Sequence, residues 1–83
     1  TVVGESFNAS AQTNVTGYVI STQGQKLELR LMRKGFFRWI EVKKSSDLLS
    51  EQALDVDLKK AGQYRWEIRS AEGKGVAHFW SSL

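Results

Sequence analysis

The 83-residue sequence contains no cysteine and no proline, and it has a single histidine. Without cysteine, neither a disulfide framework nor a thiolate metal site can form. Without proline, the edge strands of any sheet have to be protected from aggregation by charged side chains. No stretch approaches the roughly 18–20 apolar residues of a membrane span, so we expect no membrane insertion by this segment. The fold therefore has to rest on packing and backbone pairing.

Length and charge limit the class of protein further. A chain of 83 residues suits one domain with one core, and we predict a single domain over residues 1–83. The chain begins Thr1-Val2-Val3 without an initiator methionine, which favours an excised or processed part of a larger protein. The net charge of +3 is a mild excess, and basic residues are interleaved with acidic ones. Nucleic acid is therefore not favoured as a partner.

Short runs of alternating apolar and polar residues lie between the seven glycines. The clearest are 27–31, with leucine at every second position, and 54–58, where leucine and valine alternate with aspartate. The segment 62–69 also alternates, and less regular runs cover 7–11, 15–21, 36–43 and 76–81. About seven strands at roughly ten-residue spacing predict an all-β sandwich or small barrel.

Two segments are less regular. Apolar residues occupy both odd and even positions within 36–43, and a bulge or burial of both faces would reconcile them. Segment 46–53 is the one helix-tolerant part, because Ser46 or Asp47 could cap a short turn. We expect one helical turn there at most.

The segment 62–69, GQYRWEIR, alternates strictly, so we expect one set of side chains to fill the core and the other to face outward. Gly62 can make a turn between sheets that a side chain would resist. A tyrosine directly after it can bury its ring and return its hydroxyl to a backbone group, as in a tyrosine corner. The core set is Tyr64, Trp66 and Ile68, and the outward set includes Arg65 and Arg69.

From Leu54 onward, LDVDLKKAGQYRWEIRSAEGKGVAHFWSS resembles the last three strands of an immunoglobulin-like or fibronectin type III-like sandwich. The shared features are a strand of alternating leucines, an Ala61-Gly62 corner, the 64–70 strand, a glycine-rich hairpin and a closing strand ending in serines. The earlier segment GFFRWIEVKKSSDLL is similar to the middle strand of such modules in bacteria. The resemblance covers 27–83. It implies an antiparallel, immunoglobulin-like β-sandwich of about seven strands in an extracytoplasmic location: periplasmic, cell-surface or secreted.

Catalytic and metal-binding patterns are missing from the sequence. A hydrolytic triad would have to use His78, which we expect to be a partly buried strand residue bonded to backbone. Asp55 and Asp57 share one face of a strand with no third acid close in sequence, so we expect solvated outward charges rather than a calcium site. We therefore predict no enzyme activity, no metal and no cofactor.

The outward face of 62–69 is the strongest candidate for a binding surface. In a sandwich of this type it would lie beside the 36–43 strand, giving a cross-strand ladder of arginine, glutamate and tryptophan. Planar tryptophan and arginine groups are enriched at binding hot spots, and exposed tryptophans could also stack on sugar. The predicted binding residues are Phe37, Trp39, Lys43, Arg65, Arg69 and Trp80.

These features predict a non-catalytic binding or spacer module that contacts a neighbouring domain of its own chain or a protein partner. The alternative is a carbohydrate- or cell-wall-binding module that stacks sugar on Trp39 or Trp80. A third hypothesis is a nucleic-acid-binding small β-barrel. A spacer should have Trp39 buried in a contact or lying under an arginine. A glycan binder should show a level, exposed pair of aromatic rings.

Overall fold

Alternating side chains organise residues 1–73 and 76–83, the part of the chain that the computed structural model describes, into eight strands and no helix. The strands are β1 (Val2–Val3), β2 (Phe7–Ala9), β3 (Asn14–Ser21), β4 (Leu27–Lys34), β5 (Trp39–Lys44), β6 (Glu51–Asp57), β7 (Gly62–Ser70) and β8 (Ala77–Ser81).

The strands form two packed antiparallel sheets. The larger sheet has the order β1-β7-β4-β5, with β2 also pairing with β7, and the smaller sheet has the order β6-β3-β8. Val3 pairs with Glu67 and Phe7 pairs with Tyr64, so β1 and β2 follow one another along the same edge of β7. The predicted all-β sandwich is confirmed, and the strand number is eight because this N-terminal edge is interrupted.

The core lies between the two sheets, where every second residue of the central strands points inward. Burial of these side chains is the main driving force for folding in a domain of this size. The predicted inward positions of 27–31, 54–58 and 62–69 are confirmed. The buried cluster is Val15, Val19, Leu27, Leu29, Leu31, Leu54, Val56, Leu58, Tyr64 and Trp66, with Phe7, Ala9 and Ile68 packed against it.

The Trp66 indole crosses the core from β7 to the smaller sheet. A Cβ atom added to Gly17 would lie 2.7–2.9 Å from three atoms of the indole, so only glycine leaves room for the ring. The indole N–H donates to Ser81 Oγ at 2.9 Å, and the ring lies 6.1 Å from that of Phe79. One side chain of the larger sheet is thus held by both β3 and β8.

The predicted tyrosine corner is confirmed. The Tyr64 ring is fully buried, and its hydroxyl donates to the carbonyl of Lys60. Because donor and acceptor are four residues apart, the bond closes the turn between β6 and β7 without help from distant parts of the chain.

The predicted glycine-rich hairpin between 62–69 and 76–81 is wrong. β8 pairs with β3 of the opposite sheet, and the edge of β7 where a hairpin partner would lie holds β1 and β2. The inward side chain of β8, Phe79, packs against Trp66, which favours this placement. Residues 74 and 75 of the predicted hairpin lie outside the described residues.

The segment predicted to tolerate a helical turn, 46–53, forms none. Leu49 makes an isolated bridge to Leu27, and β6 begins at Glu51. The buried Gln52 side chain donates to the carbonyls of Leu27 and Asp47. These bonds outweigh the local capping preference because they pair the Gln52 amide, which would otherwise be buried without partners.

Replacing Gly17 with alanine should destabilise the fold by about 1–3 kcal/mol, because the new methyl group would have to displace the Trp66 ring. The free energy of unfolding from urea denaturation measures this. Gly4→Ala is the matched control, since its Cβ would lie 3.6 Å from the Trp66 carbonyl oxygen, an ordinary contact. Its effect should stay within about 0.5 kcal/mol, and equal losses in the two variants would contradict the packing described.

Candidate functional site

The predicted neighbour of the 62–69 strand is wrong, because β4 lies between β7 and β5. Each outward residue of β7 faces a residue of β4 instead: Arg69 pairs with Glu28, and Glu67 pairs with Arg30. Opposite charges directly across an antiparallel pair stabilise that register. The arginine and glutamate ladder therefore exists, with 27–34 as its second strand.

Glu67 is the centre of this ladder. It is only 7% exposed, and each of its carboxylate oxygens is held by a different arginine. Arg30 Nη2 donates to Oε1 at 2.8 Å, and Arg65 donates to Oε2 through Nη2 at 2.9 Å and Nε at 3.1 Å. A nearly buried carboxylate is stable only when it is paired in this way.

Trp39 lies under Arg65. The guanidinium carbon is 4.2 Å from the centroid of the Trp39 ring, a cation–π distance. Met32 pairs with Arg65 on one side and with Glu41 on the other, so Trp39, which pairs with Lys34, is a diagonal neighbour of Arg65 across β4. Met32 lies on this outward side of β4, yet it is only 8% exposed. The face thus has a small apolar centre of its own, and Trp39 has the position expected of a structural contact.

The Arg65 contacts on this face of the larger sheet compete with any ligand for Trp39. A ligand that stacked on Trp39 would first have to displace Arg65, which also holds Glu67. Leaving the Glu67 carboxylate with one of its three hydrogen bonds would cost about 1–3 kcal/mol. The tryptophan and arginine that were predicted to meet do meet, and the contact stabilises the sheet.

A register shift explains the position of Lys43. Leu31 pairs with Lys43 but Met32 pairs with Glu41, so β5 contains the irregularity that its sequence predicted. The shift moves Lys43 from the outward face to the side of the core, where its Nζ donates to the Asp55 carbonyl of the other sheet at 3.2 Å. It is therefore separated from Trp39.

The three other predicted binding residues lie apart from one another. Arg69 is exposed on β7 opposite Glu28. Phe37 is 92% exposed in the turn between β4 and β5. Trp80 is 57% exposed and lies on β8, in the smaller sheet. The six predicted residues therefore do not form one site.

The outward face of the smaller sheet carries the more open aromatic surface. Trp80 pairs with Tyr18 across β3 and β8, and the next outward pair is Ile20 with His78. Trp80 and Ile20 are exposed, and Tyr18 is half-buried. The three strands of this sheet contain no lysine or arginine. No cation from within the sheet therefore covers its aromatic side chains.

Acidic residues on β6 border this aromatic surface. The Thr16 hydroxyl donates to Asp55 at 2.6 Å, and the Asn14 amide donates to Asp57 at 2.9 Å. The hydrogen bond from Thr16 is the largest cause of a lowered pKa of Asp55, and the nearby Asn14 amide and the charge of Lys43 act in the same direction against desolvation. The predicted outward, solvated position of the two aspartates is confirmed.

The pKa of Tyr18 is raised from its ordinary value. Desolvation is the largest cause, followed by the negative charge of Glu51 and a hydrogen bond to that carboxylate. The neighbouring Glu51 carboxylate, on β6, therefore favours the protonated form of the Tyr18 hydroxyl.

The clefts in the described part of the chain are small or open. A cleft of about 180 Å³ between the sheets near Val2, Ile68 and Phe79 is below the roughly 300–1,000 Å³ of most ligand pockets, and an open groove of about 370 Å³ between the edges of β5 and β6 is at the lower end of that range. Within residues 1–73 and 76–83 there is no group of three potential metal ligands, nor a helix able to cross a membrane. His78 is exposed rather than partly buried, because it points away from the core.

Two aromatic residues of the surface, Tyr18 and Phe36, were not among the binding residues predicted from the sequence. The alternation of Val15, Gly17 and Val19 places Tyr18 on the outward side, so its exposure was visible in the pattern. The cross-strand pairing of Tyr18 with Trp80 was not visible in the pattern, because the expected hairpin placed β8 beside β7.

Comparison with family models, curated proteins and solved structures finds no match for this chain. Function therefore has to be inferred from the two sheet faces and the loops that join them.

The low pKa of Asp55 should be visible as a titration midpoint below that of an ordinary aspartate. Thr16→Val removes the largest cause and should raise the midpoint. Because the folded-state pKa is lowered, the stabilising contribution is present above the unfolded-state pKa and is lost as pH falls through the folded-state value. Carboxyl-carbon NMR measures the midpoint. Thr22→Val, whose hydroxyl bonds to the Val76 carbonyl, is the control that should change nothing.

Proposed function

We propose that this chain is a non-catalytic binding or spacer module that contacts a neighbouring domain or protein partner through the outward face of β6-β3-β8. The observation that carries the proposal is Trp80, 57% exposed in a strand without a charged side chain. The two-sheet antiparallel architecture and the tyrosine corner support an immunoglobulin-like class. The resemblance of 27–83 to bacterial modules supports an extracytoplasmic location.

The edge position of β8 supports the contact with a partner. Within the described residues β8 pairs with β3 on one side, which leaves the backbone groups of its other side at the sheet edge. Edge strands are usually protected by charge or proline, and AHFWS has neither. Such an edge can accept a further strand through main-chain hydrogen bonds, with Trp80 as an aromatic anchor.

The charge of the face indicates the chemistry of the partner. Glu51, Asp55 and Asp57 point outward on β6, and the sheet contributes no cation. Complementary potentials favour a partner that presents lysine or arginine beside an apolar strand. The same acidic residues would repel phosphates, so nucleic acid gains no support on this surface.

A carbohydrate is the second candidate, favoured by the pairing of Tyr18 with Trp80. Aromatic faces can pack against the apolar faces of sugar rings. Asn14, Thr16 and Asp55 place an amide, a hydroxyl and a carboxylate on the same outward face, where they could bond to sugar hydroxyls.

The three tryptophan indole N–H signals separate these functions in one NMR experiment, because Trp66 is buried, Trp39 lies under Arg65 and Trp80 is open. The chain would be titrated with a strand-forming peptide of alternating lysine and valine, and separately with cell-wall glycan fragments. The protein-binding proposal predicts that the peptide shifts the Trp80 signal and leaves Trp66 unchanged. A shift with glycans alone would favour the carbohydrate module.

Trp80→Ala should weaken peptide binding at least about tenfold, the loss expected for an anchor residue. Phe37→Ala is the control, since it removes an even more exposed aromatic ring away from the smaller sheet and should leave the affinity unchanged. Shifts centred on Trp39, or equal losses in both variants, would contradict the proposed surface.

A further inference from the structure

Three loops meet at one end of the sandwich. Arg33 pairs with Tyr64 and Ala9 pairs with Gly62, so the β4–β5 turn, the β6–β7 loop and the β2–β3 loop lie at the same end. The Gln12 amide donates to the Leu58 carbonyl at 2.7 Å, which joins two of these loops directly. We refer to residues 10–13, 33–38 and 58–61 as the basic end.

The excess of positive charge in the molecule lies at the basic end. It carries five basic residues and no acidic one, whereas the remaining residues carry seven basic and nine acidic side chains. The small net charge of +3 therefore hides a strong separation of charge. The five are Arg33, Lys34, Arg38, Lys59 and Lys60.

Two phenylalanines form the tip of this end. The Gly35 amide donates to the Arg38 carbonyl at 2.7 Å, which leaves Phe36 and Phe37 at the apex of the turn. Each is 92% exposed, and the two rings make an edge-to-face contact with centroids 4.6 Å apart. A Cβ on Gly35 would lie 2.7 Å from the Arg38 carbonyl oxygen, so this tight turn requires glycine at position 35.

Neither folding nor turn geometry explains these two residues. Tight hairpins favour glycine, asparagine or aspartate at the apex, and Gln12 is the one non-glycine residue with positive φ in the described part. The rings of Phe36 and Phe37 are also outside the buried cluster. Two adjacent exposed aromatic residues at a loop tip therefore point to a contact with an apolar medium or surface.

An open groove lies beside the tip. Its volume is about 370 Å³, and it runs between the edges of β5 and β6. Anionic groups that enter it would meet cations from the larger sheet and from the β6–β7 loop. The charged residues that line it are Arg33, Lys43, Lys59 and Lys60, with Glu41 and Asp57.

We propose that the basic end docks on an anionic lipid surface, with Phe36 and Phe37 inserted among the acyl chains and the surrounding cations against the phosphate headgroups. Aromatic side chains ringed by lysine and arginine have this amphipathic pattern at membrane interfaces. Lysine and arginine side chains beside the inserted rings strengthen the attraction of the protein to anionic lipids. The expectation of no membrane insertion rested on the absence of a spanning segment, and a two-residue tip needs none.

An anionic lipid surface fits the basic end better than nucleic acid or an acidic protein partner does. Nucleic-acid-binding proteins use aromatic rings as stacking platforms within a basic groove, whereas these rings are in edge-to-face contact with each other at the apex. A protein partner would have to supply an acidic rim around an apolar pocket. An anionic bilayer supplies both the charge and the apolar interior without a matching shape.

Flotation with two kinds of vesicle tests the proposal. The 83-residue chain should float with vesicles of phosphatidylglycerol and phosphatidylcholine in equal parts, and stay in solution with phosphatidylcholine alone. Phe36→Ser/Phe37→Ser should reduce the partition coefficient at least about tenfold, because both rings lose their apolar burial. Lys59→Glu should reduce it about fivefold or more.

Matched controls separate this surface from the rest of the molecule. Lys26→Glu changes the net charge equally at the opposite end of β4 and should leave flotation nearly unchanged. Trp80→Ala should also leave flotation nearly unchanged. Failure of the lipid-docking proposal and failure of the proposed protein-binding face are therefore distinguishable. Because Phe36 and Phe37 are exposed, the double variant should keep the unfolding midpoint of the wild-type chain.

Insertion can be measured separately because the chain has no cysteine. A polarity-sensitive fluorophore on Phe37→Cys should shift to the blue on anionic vesicles, and the same label on Gln23→Cys should not. Equal binding to neutral vesicles, absence of binding to both, or preference for an oligonucleotide over vesicles would overturn the proposal. Loss of self-association in the Phe36→Ser/Phe37→Ser variant, without vesicle binding by the wild-type chain, would assign the tip to a contact between copies instead.

Discussion

The packing of the Trp66 indole against the bare backbone of Gly17 is the contact on which the two-sheet arrangement depends. Trp66 belongs to the larger sheet, but its ring lies on β3 and its N–H is held by Ser81 of β8. This side chain therefore fixes β8 in the smaller sheet, and the edge of β7 is taken by β1 and β2. The placement of β8 in turn decides that Trp80 points outward beside Tyr18.

The charges of the molecule are separated into three regions with different properties. On the larger sheet, Arg30 and Arg65 are both paired with Glu67, and Arg65 covers Trp39. The smaller sheet presents acidic and aromatic groups without any cation of its own. The basic end presents cations around Phe36 and Phe37. One face of the module thus has its charged groups paired with one another, and two other surfaces expose charges of opposite sign. Such a module could contact a lipid surface and a protein partner at the same time.

Local patterns in the sequence were sufficient for the core and the corner, and insufficient for the strand order. Alternation identifies which side of a strand is buried, so Tyr64 and Trp66 were correctly predicted as core residues, and the tyrosine corner spans only four residues. Alternation does not identify a strand's neighbour, so β4 was not placed between β7 and β5. The meeting of Trp39 with Arg65 was predicted through a direct strand pair, but it occurs across β4. The side of Lys43 depends on a register shift that only the paired strands reveal.

The position of β8 is the central claim, because the open aromatic face exists only if that strand pairs with β3. Nuclear Overhauser contacts in the labelled chain measure it most directly. We expect contacts between the Trp66 ring and the Gly17 α protons, and cross-strand contacts between the backbones of Phe79 and Val19. Cross-strand contacts from β8 to β7, with none between Trp66 and Gly17, would contradict the two-sheet arrangement and return Trp80 to the larger sheet.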